Sequence, residues 1–213
     1  MTGDDIAQYL REHPEFFDEH AELLATIEVR HPHDDRAIPL AERQLVQLRE
    51  RNRVLEAKLR ELVAFGEEND RIGSRLHHAT TAFIRASNLD ELLQRVYFHL
   101  REDFAIPHVA LRLWGGIPGD RPEFSAVSDE VKAFAESLVR PYCSHKPMFE
   151  SAGWFGESAA ALRSFAYVSL REDGSFGLLA LAAEDPQRFY PEMGTLYLQR
   201  LGEIVAAAVS RYA

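Results

Sequence analysis

Nine histidines are the first candidates for chemistry in this chain of 213 residues. Four of them lie in an acidic stretch near the start: His13, His20, His31 and His33. Imidazole and carboxylate groups together could bind zinc, but these spacings match no compact site and no cysteine accompanies them. His77 and His78 are neighbours on a predicted helix, where successive side chains point about 100° apart, so the pair cannot share one ion. We therefore predict no metal site.

Cys143 is the only cysteine, so neither an internal disulfide nor a multi-cysteine metal site can form. It precedes Ser144 and His145, but a nucleophilic cysteine needs a lowered thiol pKa and a nearby base, and the sequence indicates neither. Phosphate-binding glycine loops, dinucleotide-binding fingerprints and serine nucleophile elbows are absent from the sequence. We predict that the chain is not an enzyme and needs no cofactor, with a redox sensor using Cys143 as a weaker alternative.

Net charge and the length of the apolar runs disfavour two classes of partner, nucleic acids and membranes. The formal net charge of −10 disfavours binding to the phosphate backbone of nucleic acids. The longest apolar run, Phe176–Ala183, is far shorter than the roughly 20 residues that cross a bilayer. No signal peptide is apparent, so we expect a cytoplasmic protein with neither a nucleic-acid nor a membrane partner.

Charge and periodicity divide the chain into three regions. We predict an N-terminal helical segment over 1–35, a coiled-coil and linker helix over 36–74, and a folded domain over 75–213. The first 35 residues carry ten acidic side chains against two basic ones.

The acidic segment has apolar residues at helical spacing with a break at Pro14, which predicts two short helices, 3–12 and 14–28, followed by a connector over 31–35. So short a pair buries little surface by itself. We therefore expect residues 1–30 to offer a protein partner an apolar stripe made of Phe16, Phe17, Leu23 and Leu24.

A heptad pattern is the clearest local signal in the sequence. Positions a and d hold Ile38, Ala41, Leu45, Leu48, Asn52, Leu55, Leu59 and Leu62. A single Asn at position a among leucines fixes a parallel, in-register dimer, and Arg51 would then face Glu56 of the partner chain. We predict a homodimer with an interface of Leu45, Leu48, Asn52, Leu55, Leu59 and Leu62. The alternative is one amphipathic helix packed on its own domain. Gly66 and Asn69 interrupt the pattern and predict a junction.

The third region has the pattern of an α+β domain. Predicted helices cover about 75–87, 89–103 after an Asn88/Glu91 capping box, 128–139 and 191–212. Predicted strands are His108–Trp114, Phe124–Val127, Phe165–Leu170 and Phe176–Ala183. Asp173-Gly174 predicts a hairpin turn between the last two strands. We expect residues 140–161 to be irregular.

This order of elements resembles the GAF fold of sensor domains, and the chain is similar to an uncharacterised bacterial GAF-like family, domain of unknown function 484. The residues that carry the resemblance are Tyr9-Leu10, His13–Phe17, Leu40–Gln44, Leu48–Arg51, Asn69-Asp70, Gly177–Leu181, Asp185, Arg188-Phe189 and Met193–Thr195. The resemblance covers nearly the whole chain. It implies an antiparallel sheet of five or six strands flanked by helices, and no established reaction.

A ligand pocket is the function that the GAF resemblance implies. In the first strand, odd-numbered residues suit the helix-packed face, which leaves Arg112 and Trp114 on the pocket side. A buried Arg beside aromatic and hydroxyl groups suits a small anionic ligand. We predict a pocket lined by Arg112, Trp114, Phe124, Tyr142, Cys143, Tyr167 and Ser169. In the alternative, Arg112 pairs with Glu150 or Glu157 and fills the space itself.

Two functions therefore remain open. The first is a non-catalytic, dimeric, GAF-like sensory or regulatory module that binds a small ligand. The second is a protein-interaction adaptor with a collapsed pocket, which docks its partner through residues 1–30.

Overall fold

A computed structural model of the chain describes residues 2–26, 28–31, 34–114 and 120–212. The backbone forms two compact units, Met1–Glu67 and Glu68–Ala213. The boundary falls inside the 45-residue helix α4, Leu40–Ile84.

The first unit begins with α1, Gly3–Glu12, as predicted. Thr2 caps it, since its hydroxyl accepts the Asp5 N–H and the Asp5 carboxylate accepts the Thr2 N–H. The predicted helix over 14–28 is wrong in its extent. The backbone leaves the helical region at His20, which separates α2, Phe16–Glu19, from α3, Ala21–Thr26.

Two paired strands include His31, Asp34 and Asp35 of the predicted connector, whose residues 32 and 33 lie outside the described residues. Strand β1, Glu28–His31, pairs antiparallel with β2, Asp34–Pro39. Ile38 lies opposite Val29 in this pair of strands, so its assignment to the first a position of the coiled coil is wrong. The heptads inside α4 therefore start at Ala41.

The sequence predicts a junction near Gly66 and Asn69, and the boundary between the two units falls there, after Glu67, while α4 itself continues through Gly66 and Gly73 to Ile84. Each glycine costs a helix about 1 kcal/mol relative to alanine, which is too little to end a long helix that packing fixes at its far end. Leu76 and Phe83 provide that packing, since both are buried.

The second unit contains a four-stranded antiparallel sheet in the order β3-β6-β5-β4, one strand fewer than the lower expectation. The strands are β3, His108–Leu113; β4, Tyr142–Ser144; β5, Ser164–Arg171; and β6, Ser175–Ala183. The predicted β5–β6 hairpin is confirmed. The strand predicted over 124–127 is wrong: Phe124 ends a 3-10 turn, Pro122–Phe124, and residues 125–127 pair with no strand of the sheet before Ser128 starts the next helix.

Helices cover both faces of this sheet. Helices α5, Leu89–Glu102, and α7, Leu196–Ser210, lie on one side, here called the helical face. Helix α6, Asp129–Ser137, and a 3-10 segment, Phe149–Ala161, cover the other side, here called the α6 face. The 3-10 segment and β4 occupy the stretch predicted to be irregular.

Two predicted helix starts are confirmed by their caps. The Asn88 side chain accepts the Glu91 N–H at 2.8 Å at the start of α5, while the Glu91 carboxylate accepts the Ser87 N–H at 2.8 Å. The Ser128 hydroxyl accepts the Val131 N–H at the start of α6. Helix α7 begins at Leu196, five residues later than predicted.

Helix α7 packs closely on β5 at Gly202. A Cβ at this position would lie 2.3 Å from Cγ1 of Val168, so only glycine allows the observed approach. The glycine therefore sets how closely α7 approaches the sheet at this point.

Candidate functional site

The alternation predicted for β3 is confirmed. Leu111 and Leu113 belong to the core of the helical face, whereas Ala110 and Trp114 pack on the α6 face. Arg112 lies on the same side as Trp114, with its guanidinium carbon 4.9 Å from the centre of the Trp154 ring. The negative face of the Trp154 ring attracts the positive guanidinium, so the contact is a cation–π interaction.

Tyr167 lies at the centre of the α6 face and is completely buried. Its hydroxyl accepts the Met148 N–H at 2.9 Å and lies 2.7 Å from Oγ of Ser151. The Ser151 hydroxyl donates its single proton to the Met148 carbonyl oxygen at 2.5 Å. The Tyr167 hydroxyl must therefore donate to Ser151. Burial is the main cause that raises the Tyr167 pKa, so the hydroxyl stays protonated and can keep donating.

Apolar side chains fill the space around Tyr167. The Phe134 ring of α6 meets it edge-on at 5.7 Å, and the Phe155 ring lies 6.1 Å from the ring of Phe165. Phe165, Leu178, Ala180 and Ala182 beneath these rings are at most 1% exposed. The described side chains thus occupy the central part of the α6 face themselves.

Trp114 and Arg112 use their polar groups within the domain. The Trp114 indole N–H donates to the Ser175 carbonyl oxygen at 2.9 Å, and one Arg112 nitrogen donates to the Leu111 carbonyl oxygen at 2.9 Å. Burial lowers the pKa of the Arg112 guanidinium from its ordinary value, although the neighbouring Tyr97 and Glu123 oppose this effect. No ion pair among the described residues includes Arg112.

The carboxylate whose charge acts on the Arg112 pKa is that of Glu123 rather than that of Glu150 or Glu157, the partners considered from the sequence. Glu123 is 4% exposed and also pairs with Arg121 at 3.3 Å. Glu150 binds Ser128 instead of Arg112: its carboxylate accepts hydrogen bonds from the backbone N–H and the hydroxyl of Ser128, each at 2.9 Å.

The other predicted pocket residues are divided between the two faces. Tyr142 lies opposite Tyr167 in the sheet, and its partly exposed ring contacts Phe134 at 5.8 Å. Ser169 is two residues further along β5, where its buried hydroxyl oxygen has no hydrogen-bond partner among the described residues. Phe124 and Cys143 instead pack into the core of the helical face. Burial raises the pKa of the Cys143 thiol to about 11, which disfavours the reactive thiolate.

The structure therefore brings Arg112, Trp114, Tyr142 and Tyr167 to one face, whereas Phe124 and Cys143 pack into the core of the helical face. Tyr142 and Cys143 nevertheless both line an open cleft of about 520 Å³ beside β4. Sequence reasoning missed Met148 and Ser151, which hold the Tyr167 hydroxyl, and gave no role to Trp154. The aromatic pair Trp154-Phe155 was the available signal, because two large rings in a segment without apolar periodicity must pack against something.

The predicted dimer interface lies in α4 and is exposed. Leu45, Leu48, Leu55, Leu59 and Leu62 are between 47% and 65% exposed. Asn52 is exposed in the same row. No helix among the described residues is both long enough and apolar enough to span a bilayer.

Comparison with known proteins assigns the chain to a family. A family model described as "Protein of unknown function, DUF484" matches residues 1–213. The chain belongs to this family. It is 25% identical over 218 residues to the uncharacterized protein YigA of Salmonella typhimurium, covering 97% of this chain and 90% of that protein. It is 23% identical over 219 residues to YigA of Escherichia coli, with the same coverage.

A solved structure shares the fold of about two thirds of this chain. The GAF domain of a phosphoenolpyruvate-protein phosphotransferase from Coxiella burnetii aligns with a TM-score of 0.53 at 15% sequence identity. The alignment covers 66% of this chain and 94% of that domain. The predicted α+β, GAF-like fold and the predicted family are therefore confirmed.

Proposed function

We propose that this DUF484 protein is a non-catalytic regulatory module, paired through a parallel coiled coil of α4, that acts by binding another protein. The exposed leucine row of α4 is the observation that carries the proposal. Leucines that are 47–65% exposed on a single face of one helix gain free energy when a second copy covers them.

Charge and polarity along α4 favour a second copy as the occupant. Asn52 interrupts the leucine row at an a position, where two copies in register can hydrogen-bond to each other. Arg51 and Glu56 hold the g and e positions beside it, so a parallel pair brings opposite charges together.

The filled α6 face supports protein binding over small-molecule sensing. The Tyr167 hydroxyl, the Trp114 indole and the Arg112 guanidinium each bond within the domain. A ligand would have to displace these bonds and the packed rings.

The acidic segment is the surface that we propose for the partner, because Phe16 and Phe17 lie in a region with ten acidic and two basic side chains. A basic protein surface complements it.

Light scattering during size-exclusion chromatography tests the pairing. Leu55→Glu removes one buried leucine from each copy, and burial of a leucine is worth about 2 kcal/mol. The loss of about 4 kcal/mol raises the dimer dissociation constant about 1,000-fold. The control is Val54→Glu, since Val54 is 46% exposed on the same helix but lies at position c. A monomer at micromolar concentration in the unmodified chain contradicts the proposal.

A cross-link tests the parallel orientation. Leu48→Cys in a Cys143→Ser background places one cysteine on the proposed interface, where parallel copies bring the two sulfur atoms into disulfide range. We expect rapid oxidation to a covalent dimer. An antiparallel pair keeps these cysteines apart and gives no such product.

A small anionic ligand is the second candidate function, and one observation favours it. Arg112 is partly buried beside Trp154 and belongs to no ion pair among the described residues. Native mass spectrometry of freshly purified protein separates the two functions. Additional non-covalent mass that persists in a chain lacking residues 1–30 and disappears in Arg112→Met supports the ligand. The exposed Arg163 provides the control, Arg163→Met.

A further inference from the structure

Three potential metal ligands meet where the last turns of α4 lie against α5. Nδ1 of His99 is 2.6 Å from Oδ2 of Asp103, and Nδ1 of His78 is 3.4 Å from the same oxygen. One ligand atom from each of the three residues lies within 4.8 Å of the other two. Two imidazoles and one carboxylate form a common ligand set for divalent transition metals.

Helix geometry and ring contacts fix the positions of two of the three side chains. His99 and Asp103 are four residues apart, so α5 presents them on one face. His99 is 6% exposed, and the Phe83 and Phe98 rings lie 5.9 and 5.3 Å from it. The His78 ring meets the His99 ring edge-on at 5.4 Å from the adjacent helix. Two of the three ligands therefore have restricted positions.

We propose that His78, His99 and Asp103 bind one divalent transition-metal ion, for which Zn²⁺ is the probe. Ligand atoms of a tetrahedral zinc ion lie about 3.3 Å apart, given metal–ligand bonds of about 2.0 Å. The His78–Asp103 distance already has this value, and the His99–Asp103 distance has to open by about 0.7 Å. The ligand nitrogens of His78 and His99, which lie within 4.8 Å of each other, have to approach by up to about 1.5 Å, and the exposed His78 side chain has the freedom to make this movement. Nδ1 must be unprotonated to bind the ion, so each imidazole then carries its proton on Nε2.

The surroundings leave room for a fourth ligand. A cleft of about 320 Å³ borders both imidazoles and is also lined by Thr81, Arg85 and Arg95. Arg95 is held by the Glu91 carboxylate at 2.6 Å, which neutralises part of its charge. The positive charges of Arg85 and of the partly neutralised Arg95 oppose a bare cation, so they favour a negatively charged fourth ligand such as hydroxide, which lowers the net charge of the bound ion.

The sequence predicts no metal site, because the N-terminal histidines have no compact spacing and because His77 and His78 cannot share an ion. The folded chain does not contradict that geometry, since it joins His78 to residues of a different helix. The spacing His99-x-x-x-Asp103 was the signal within α5, but only packing shows which residue of α4 completes the set.

Calorimetric titration of ZnCl₂ into the full-length chain tests the site, after removal of bound metal by a chelator and with no affinity tag present. We expect one zinc ion per chain with a dissociation constant on the order of 1 μM or tighter. His78→Asn should weaken binding at least about 10-fold, because it removes one of three ligands. The His78 side chain is 72% exposed, so this variant keeps the fold.

The adjacent histidine provides a matched control. His77→Asn removes the same chemical group one position earlier on α4 and should leave the dissociation constant unchanged. Asp103→Asn serves as a second ligand variant and should also weaken binding. The proposal is overturned if the unmodified chain shows no saturable binding below about 100 μM, or if His78→Asn and His77→Asn bind zinc equally well.

Discussion

Replacement of Tyr167 by phenylalanine tests whether the α6 face is closed by its own side chains. The substitution keeps the ring and removes only the hydroxyl, which is fully buried. It leaves the Met148 N–H without its acceptor at 2.9 Å and deprives Ser151 of a donor at 2.7 Å. In a closed site no water can replace the lost oxygen atom.

The expected cost follows from these two bonds. A hydrogen bond between uncharged groups contributes about 1 kcal/mol net, and a buried donor left without an acceptor costs more, about 1–3 kcal/mol. We therefore expect Tyr167→Phe to lower the free energy of unfolding by about 2 kcal/mol. With a urea dependence of about 2 kcal/mol per molar, the midpoint falls by about 1 M.

Tryptophan fluorescence during urea unfolding measures this change. The chain has two tryptophans, Trp114 and Trp154, and both pack on the α6 face, so the signal reports the GAF-like domain alone. The control is Tyr142→Phe, because the Tyr142 side chain is 42% exposed and should change the free energy by less than about 0.5 kcal/mol. An equally small effect of Tyr167→Phe would refute the reasoning, since it means that water or a ligand reaches the hydroxyl.

Three further predictions concern other parts of the chain. Gly202→Ala should destabilise the domain by about 1–3 kcal/mol in the same assay, because the new methyl group overlaps Val168, whereas Gly194→Ala meets open space and should not. The Cys143 thiol should react with a disulfide reagent at pH 8 about 100-fold more slowly in the native than in the unfolded chain. Burial raises its pKa from 9.0 to about 11, so a smaller fraction of the thiol is ionised in the native chain. Equal reaction rates in the two states would contradict this prediction. Asn52→Leu should preserve or raise the thermal stability of the proposed dimer while relaxing its orientation or copy number, measured by melting and light scattering; a stable, strictly dimeric parallel variant argues against the role of Asn52.

Local sequence patterns predicted the elements whose form depends on near neighbours. Helix α5 begins after Asn88 because the Asn88 and Glu91 side chains lie within one turn of the donors that they satisfy. The strands β3, β5 and β6 follow from short runs of apolar residues, and Asp173-Gly174 lies in the loop that joins two of them. The assignment of Ala110 and Trp114 to one face followed from alternation alone.

The errors fall where distant partners decide the conformation. Strands β1 and β2 depend on pairs such as Val29 with Ile38, and charged residues in both strands obscure the alternation in the sequence. Strand β4 is only three residues long, and it forms because its backbone pairs with the edge of β5. In both places the stabilising hydrogen bonds join segments that local periodicity cannot relate to each other.

The candidate sites show the same division. By itself the sequence determined the family, the α+β class, the heptad row of α4 and the side of β3 that carries Arg112, because each depends on residue type and spacing along one element. Only the tertiary structure decided that the Tyr167 hydroxyl bonds to Met148 and Ser151, and that His78 meets His99 and Asp103. These contacts join different elements, so their geometry is set by packing between segments rather than by any repeat within one.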